Sequence, residues 1–236
     1  MRNTAPIFKR EFASYFNSPI AFIYLTVFLG LSSWLFLKGF FVIGEASLRS
    51  FFGLVPWIFL FFIPAITMRL WAEEKKVGTM ELLMTLPVTD AEAVLGKFLA
   101  SFIFLLLSLA LTFTLPLVVS LLGDPDPGQI FGGYLGSVLI GAAYLSIGLF
   151  ISSLTENQIV AFIVSVVAIF VLFILGADFV LFGIPDWLVP VFSFLGLGGH
   201  FASVSRGVID TRDLVYYFSV IGFFLYLNTK SIEARR

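Results

Sequence analysis

Catalysis needs nucleophiles, general bases, metal ligands or phosphate cradles at defined spacing, and these 236 residues hold few of them. There is one histidine, His200, and no cysteine. Disulfides, thiolate metal sites and cysteine nucleophiles are therefore excluded. The patterns His-Glu-x-x-His, Gly-x-Ser-x-Gly and Gly-x-x-x-x-Gly-Lys-Ser/Thr do not occur, so zinc proteolysis, a serine nucleophile elbow and P-loop nucleotide hydrolysis have no seat on this chain. His200 has no second histidine or cysteine near it and reads as structural or interfacial. Asp124 and Asp126 stand in Gly123-Asp-Pro-Asp-Pro-Gly128, where the prolines and glycines spell a turn rather than a calcium site. The basic residues form short flanking groups, not a stripe, and give no support to nucleic-acid binding.

The polar run from Glu73 to Thr89 is the most informative segment. Thr79 can cap a short helix, with Glu81 in its first turn where a negative charge suits the helix dipole. Met80, Leu83, Met84 and Pro87 then line one face, Pro87 ends the helix, and Thr89 with Glu92 forms a capping box for the next one. A short helix with an exposed, Met-rich face fits a partner's groove, and fits equally well against the membrane surface.

The elements around this run are those of a membrane protein. The chain is 59% hydrophobic and only 12% charged, with 30 phenylalanines and a mean hydropathy of +1.04. Soluble domains carry about twice that charge. Six spans are expected, at about residues 19–41, 51–70, 98–122, 131–154, 159–176 and 214–227; the longer ones reach the roughly 20 residues that cross the hydrocarbon. Ahead of them, Phe8, Phe12, Tyr15 and Phe16 share one face of an interfacial helix opened by Asn3, Thr4 and Pro6. The first apolar run is preceded by this helix and followed by Trp34-Leu-Phe36 rather than by a small-residue cleavage site, so it reads as a retained first span rather than as a cleaved signal. Residues 177–213, broken by Pro185, Pro190, Gly196, Gly198 and Gly199, read as two short re-entrant helices anchored by Trp187 and Phe192.

An even number of spans puts both termini on one side, with Arg2, Lys9, Arg10, Arg69, Lys75, Lys76, Lys97, Lys230, Arg235 and Arg236. The other side keeps Lys38, Arg49, Arg206 and Arg212. The excess of Lys and Arg places both termini in the cytoplasm. No span centre carries an ionisable residue, so ion coupling has no visible carrier. Gly132-x-x-x-Gly136, Ser137-x-x-x-Gly141 and Ala161-x-x-x-Ser165 allow close helix approach, within one subunit or across a dimer.

The run Glu73-Glu-Lys-Lys-x-Gly-Thr-x-Glu-Leu-Leu-x-Thr-Leu-Pro-Val-Thr89, with Gly96-Lys97 after it, resembles the signature of ABC type-2 exporter permeases. Phe12-Ala-Ser-Tyr-Phe-Asn-Ser-Pro19 and the segment His200 to Asp213 resemble the gliding-motility-associated, Gld-F type subgroup. The resemblance covers residues 1–236 as a single permease domain. It implies an all-α polytopic fold with an N-terminal interfacial helix, six spans, a cytoplasmic coupling helix and re-entrant outer helices before the last span. It further implies a permease subunit in the bacterial cytoplasmic (inner) membrane, not itself an enzyme, that couples ATP hydrolysis on a separate ATPase subunit to export.

By this likeness the coupling residues are Glu73, Glu74, Lys76, Gly78, Thr79, Glu81, Leu82, Leu83, Thr85 and Pro87. Thr155, Glu156, Asn157 and Gln158 are a second cytoplasmic contact, and Asp178, Trp187, His200 and Arg206 are candidates for an outer gate. The partners implied are two ATPase copies carrying ATP and Mg, a second permease copy (a homodimer or a pair with another permease), membrane lipids and an auxiliary membrane protein with a large extracytoplasmic domain. The competing expectation is a membrane anchor that passes the ATPase cycle to an extracytoplasmic partner without moving cargo.

Overall fold

A computed structural model describes residues 4–81 and 88–234. All regular structure among them is helical. Helix α1 covers Thr4–Phe16 and α2 covers Pro19–Ile43. Ser18 caps α2 by accepting from the Ile20 amide, with Pro19 in the first turn, where its missing N–H costs nothing. Gly44, at φ 70, ends it in the left-handed region.

Helix α3, Arg49–Val77, is longer than the span read from sequence, because no breaker stands between Leu70 and Gly78. The first part of the polar run is thus the end of a membrane helix rather than a loop. Gly78, at φ 77, stops α3, and Thr79, Met80 and Glu81 begin a new helical turn. Leu82, Leu83, Met84, Thr85 and Pro87 lie outside the described residues.

The expected third span is broken into α4, Asp90–Leu111, and α5, Thr114–Leu122. Pro116 supplies the reason: it has no N–H to give the carbonyl of Thr112, and its ring crowds that carbonyl. The chain tightens there, with Thr112 N–H on Leu109 O and Phe113 N–H on Ala110 O. The capping box at the start of α4 is present, with Glu92 N–H on Thr89 Oγ1 and Thr89 N–H on Glu92 Oε2, each 3.3 Å.

Helix α6, Pro127–Leu154, is the centre of the bundle and packs on α3, α4 and the final helix. Its most apolar stretch is 83% buried, against 28% for α2, so α2 turns most of its surface outward. The small residues of α6 are spent inside the subunit. Gly136 faces Phe201 and Val204, and Gly141 faces Leu105 and Phe59. Ala161 and Ser165 of α7, Gln158–Ile174, are fully buried in the same way.

Three short helices follow rather than two: α8, Asp178–Leu181; α9, Val189–Leu195; and α10, Leu197–Val204. A Cβ on Gly196 would stand 2.4 Å from the Gly176 nitrogen, so the two backbones approach too closely for a side chain at Gly196. The last helix, α11, Thr211–Glu233, is capped by Asp210, which accepts from Arg212 N–H at 2.9 Å. Among the described residues, four segments are long and apolar enough to cross a membrane: Pro19–Val42, Arg49–Val77, Asp90–Leu122 and Pro127–Leu154. The chain is a polytopic, all-helical membrane protein.

Candidate functional site

Helix α1 and the last turn of α11 lie at the same end of the bundle. Ser231, near the end of α11, lies 3.1 Å from Ser153 at the end of α6. Arg10 of α1 reaches Glu74 of α3 at the same end. The opposite end gathers the α2–α3 loop, where Ser47 donates to Gln129 at 3.0 Å, and the turn at Gly207 against Gly128.

Helix α1 lies on α4 and presents Ile7, Glu11 and Tyr15 inward, at i, i+4 and i+8. Phe8, Phe12 and Phe16 are only partly buried beside them. The most buried face is therefore one position away from the aromatic stripe, and it holds a carboxylate. Gly96 explains the fit, since a Cβ there would stand 2.7 Å from Ile7 Cγ2. Tyr15 stacks on Phe104 with ring centroids 4.9 Å apart and hydrogen-bonds Ser101. Burial pushes its phenol up to about 12, so it serves as a neutral hydrogen-bonding group.

The Glu11 carboxylate meets a closed ring of four charges. Arg10 Nη2 donates to Glu11 Oε1 at 2.8 Å and to Glu74 Oε1 at 2.7 Å. Lys97 Nζ donates to the same Glu11 oxygen at 3.1 Å and lies 2.9 Å from the same Glu74 oxygen. Lys97 is fully buried, and its ammonium also sits 4.7 Å from the centre of the Trp71 ring. A buried charge persists only when paired, and here two cations and two carboxylates neutralise one another. Burial alone would raise the Glu11 carboxyl, but Lys97 and Arg10 outweigh it and hold the group below its ordinary value. The ring ties α1, α3 and α4 together at the start of the polar run.

Around the ring lies a cleft of about 460 Å³, bordered by Arg10, Glu11, Arg69, Glu73, Glu74, Thr79 and Lys97. Glu74 Oε2 is buried in the protein without a hydrogen-bond partner among the described residues. Arg69 closes another side, lying over the Tyr15 ring at 4.9 Å. Lys75 donates to the carbonyl of Ser153. Ser152 adds a second tie, its hydroxyl accepting from the Trp71 and Ala72 amides and donating to Met68 O. The end of α3 is thus fastened on both sides.

The residues expected to couple to an ATPase divide by environment. Glu73, Lys76, Gly78, Thr79 and Glu81 are exposed, whereas Glu74 is committed to the ring. The Thr79 hydroxyl donates to Glu74 O at 3.4 Å. Met80 is buried and shares a small cleft with Trp71, Val88, Ala93 and Ile232. The second expected contact is a tight turn in which Asn157 Oδ1 caps α7 by accepting from Ile159 and Val160 amides, and Thr155 Oγ1 accepts from the Asn157 amide. Glu156 is exposed beside it and Gln158 opens α7. The Lys75 bond to Ser153 brings this turn and the end of α3 to the same place.

The four outer candidates do not assemble into one site. Asp178 is exposed at the start of α8, Trp187 is 75% exposed, and Arg206 turns back to Ala202 O. His200 instead meets Asp213, with Nδ1 2.6 Å from Oδ1, and its Nε2 lies 2.9 Å from Phe194 O. It also stacks on Tyr216 at 3.9 Å, which makes it a structural clamp between α10 and α11.

Sequence reasoning passed over Arg10, Glu11 and Lys97 as a unit. A usable signal was present, because Glu11 interrupts the Ile7–Tyr15 face of an amphipathic helix and an acid there needs a buried cation.

The family model described as ABC-2 family transporter protein matches residues 35–197. None of the curated proteins compared with the chain matches it.

Proposed function

The chain belongs to the ABC-2 family of transporter proteins, as its membrane-embedded permease subunit, and we propose that a separate ATPase subunit drives it to export cargo across the cytoplasmic membrane. One observation carries this reading: the end of α3, from which the polar run emerges, is rooted through Glu74 in the charge ring with Lys97, Glu11 and Arg10. A push on the exposed Glu73, Lys76 and Glu81 would reach α1, α3 and α4 together, as a lever reaches its base. Helix α7, which is apolar but only 17 residues long, and α11 complete six crossings in this reading. The gathering of Arg10, Arg69, Lys75, Lys76, Lys97 and Lys230 at one end supports a cytoplasmic location for both termini.

The functional unit is then a homodimer, or a pair with a second permease, bound to two ATPase copies that hold ATP and Mg. The kinship with the gliding-motility subgroup, and the auxiliary extracytoplasmic protein it brings, rest on the likeness around Phe12–Pro19 and His200–Asp213. The test is reconstitution with the ATPase subunits. Glu81→Gln and Leu83→Asp should abolish stimulation of ATP turnover while the permease stays folded. Normal stimulation and normal ATPase binding by both variants would sink the coupling role.

A second reading has its own support. Phe182 is 97% exposed and Trp187 75% exposed in the turn between α8 and α9, a surface suited to an extracytoplasmic partner. In this reading the chain is an anchor that passes on the ATPase cycle and moves nothing. ATP-dependent cargo uptake into inside-out vesicles separates the two, since the anchor turns over ATP without uptake.

A further inference from the structure

A groove of about 800 Å³ runs along α11 on the side facing α7, α9 and the start of α10. One wall is a stripe of α11 at four-residue spacing, Arg212, Val215–Tyr216, Ser219–Val220 and Phe223–Phe224; Leu172, Phe194, Leu195 and Leu197 form the other. From Arg212 to Phe223 the stripe is about 16 Å long at 1.5 Å per residue. One leaflet of hydrocarbon is about 15 Å deep, half of the roughly 30 Å core. The groove is therefore one acyl chain long.

Its polarity is graded in the same direction. The Ser219 hydroxyl is used by Val215 O at 2.7 Å, and the Tyr216 hydroxyl by Leu195 O at 2.6 Å, so neither presents a donor to an occupant. The nearby acids are engaged as well, Asp213 with His200 and Asp210 with the Arg212 amide. At the rim, the Arg212 guanidinium and the neighbouring Thr211 hydroxyl make no hydrogen bond or ion pair among the described residues, and Arg212 is the one charged group of the lining. An occupant must then be apolar for one leaflet's depth and must end in an anionic acceptor suited to a guanidinium.

We propose that this groove holds one acyl chain of a glycerophospholipid, in the leaflet at the Arg206–Arg212 end, with its phosphate against Arg212. The proposal rests on the reading of α11 as a membrane crossing.

Native mass spectrometry of the full-length protein in mild detergent tests it, with dioleoyl phosphatidylglycerol and dioleoylglycerol as probes that differ in the phosphate. The phospholipid should add one molecule per chain, and the diacylglycerol should bind about tenfold more weakly, the loss of one charge-assisted contact. Arg212→Ala, at an exposed position, should bring the phospholipid down to the diacylglycerol level. Val215→Trp, also exposed, should remove both adducts by filling the groove, with an unchanged melting temperature confirming the fold.

Equal binding of the two probes, or full phospholipid binding by Arg212→Ala, would overturn the proposal. So would an efficient disulfide between two copies of Ser219→Cys in native membranes, because a second chain would then occupy the groove. The absence of native cysteines makes that last arm clean. Thr211→Cys and Lys230→Cys should label from opposite sides of sealed vesicles. Labelling from one side would remove the crossing of α11, a failure of the six-span reading that is distinct from a failure of lipid binding.

Discussion

Lys97 Nζ lies 2.9 Å from Glu74 Oε1, in a position with no access to solvent, so the end of α3 is held by a cation that water cannot compete for. The partners come from α4 and α3, and Glu11 and Arg10 of α1 complete the ring. The energetic consequence follows from burial. Removing one member of such a set leaves a charge without compensation, whereas removing a balanced pair does not.

Lys97→Met should therefore cost about 3–5 kcal/mol of stability, because two carboxylates would face Arg10 alone. Combining it with Glu11→Gln restores neutrality, and the double variant should be more stable than the sum of the single losses by about 0.5–3 kcal/mol. Thermal or denaturant melts of the four proteins in one detergent measure this. Strict additivity would show that the ring is not an energetic unit.

Acid should loosen α1. The Glu11 carboxyl is held below its ordinary value of 4.5 by Lys97 and Arg10, against the upward push of burial. A group whose folded value is depressed adds stability that is complete above the unfolded value and is lost as pH falls through the folded one. Amide exchange across residues 7–15, corrected for intrinsic pH effects, should thus be slow near neutrality and rise below about pH 4.3. Glu11→Gln should flatten that contribution. An unchanged acid response in the variant would assign the loosening to other carboxylates.

The parts of the fold legible in sequence are those that local chemistry decides. Ser18-Pro19, Thr89 with Glu92, Asn157 and Asp210 all mark helix starts by side chain to backbone hydrogen bonds within three residues. The outward apolar surface of α2 and the small residues of α6 were equally readable as membrane and packing signals, but which helix Gly136 or Gly141 meets depends on the assembled bundle. The charge ring was hidden for the same reason. Glu11 and Lys97 are 86 residues apart, and nothing in either neighbourhood names the other. The break at Thr112 was decidable from Pro116, but the apolar run through residue 122 masks it. From Glu73 to Thr89 the sequence marks a polar run, while its division into exposed Glu73 and enclosed Glu74 follows only from the face that α3 turns to α1.

Helix α10 and the turn after it seat on α6 at Gly132. A Cβ on Gly132 would stand 2.5 Å from Val204 O and 2.7 Å from Gly207 Cα, both backbone atoms that cannot swing aside. Gly207 itself sits at φ 89, so the turn has little freedom to adjust. Gly132→Ala should therefore push the turn after α10 off the bundle and cost about 1–3 kcal/mol. The damage should show as faster cysteine labelling at Ser203→Cys, with labelling at the α1 end unchanged. Gly30→Ala is the matched control: a Cβ there meets nothing within 4 Å in the middle of α2. Removing a helix-interior glycine favours the helix by about 0.5–1 kcal/mol, so the same substitution should be neutral or stabilising in α2 and destabilising in α6. Equal effects at the two positions would mean that close backbone approach is not what seats α10 on the central helix.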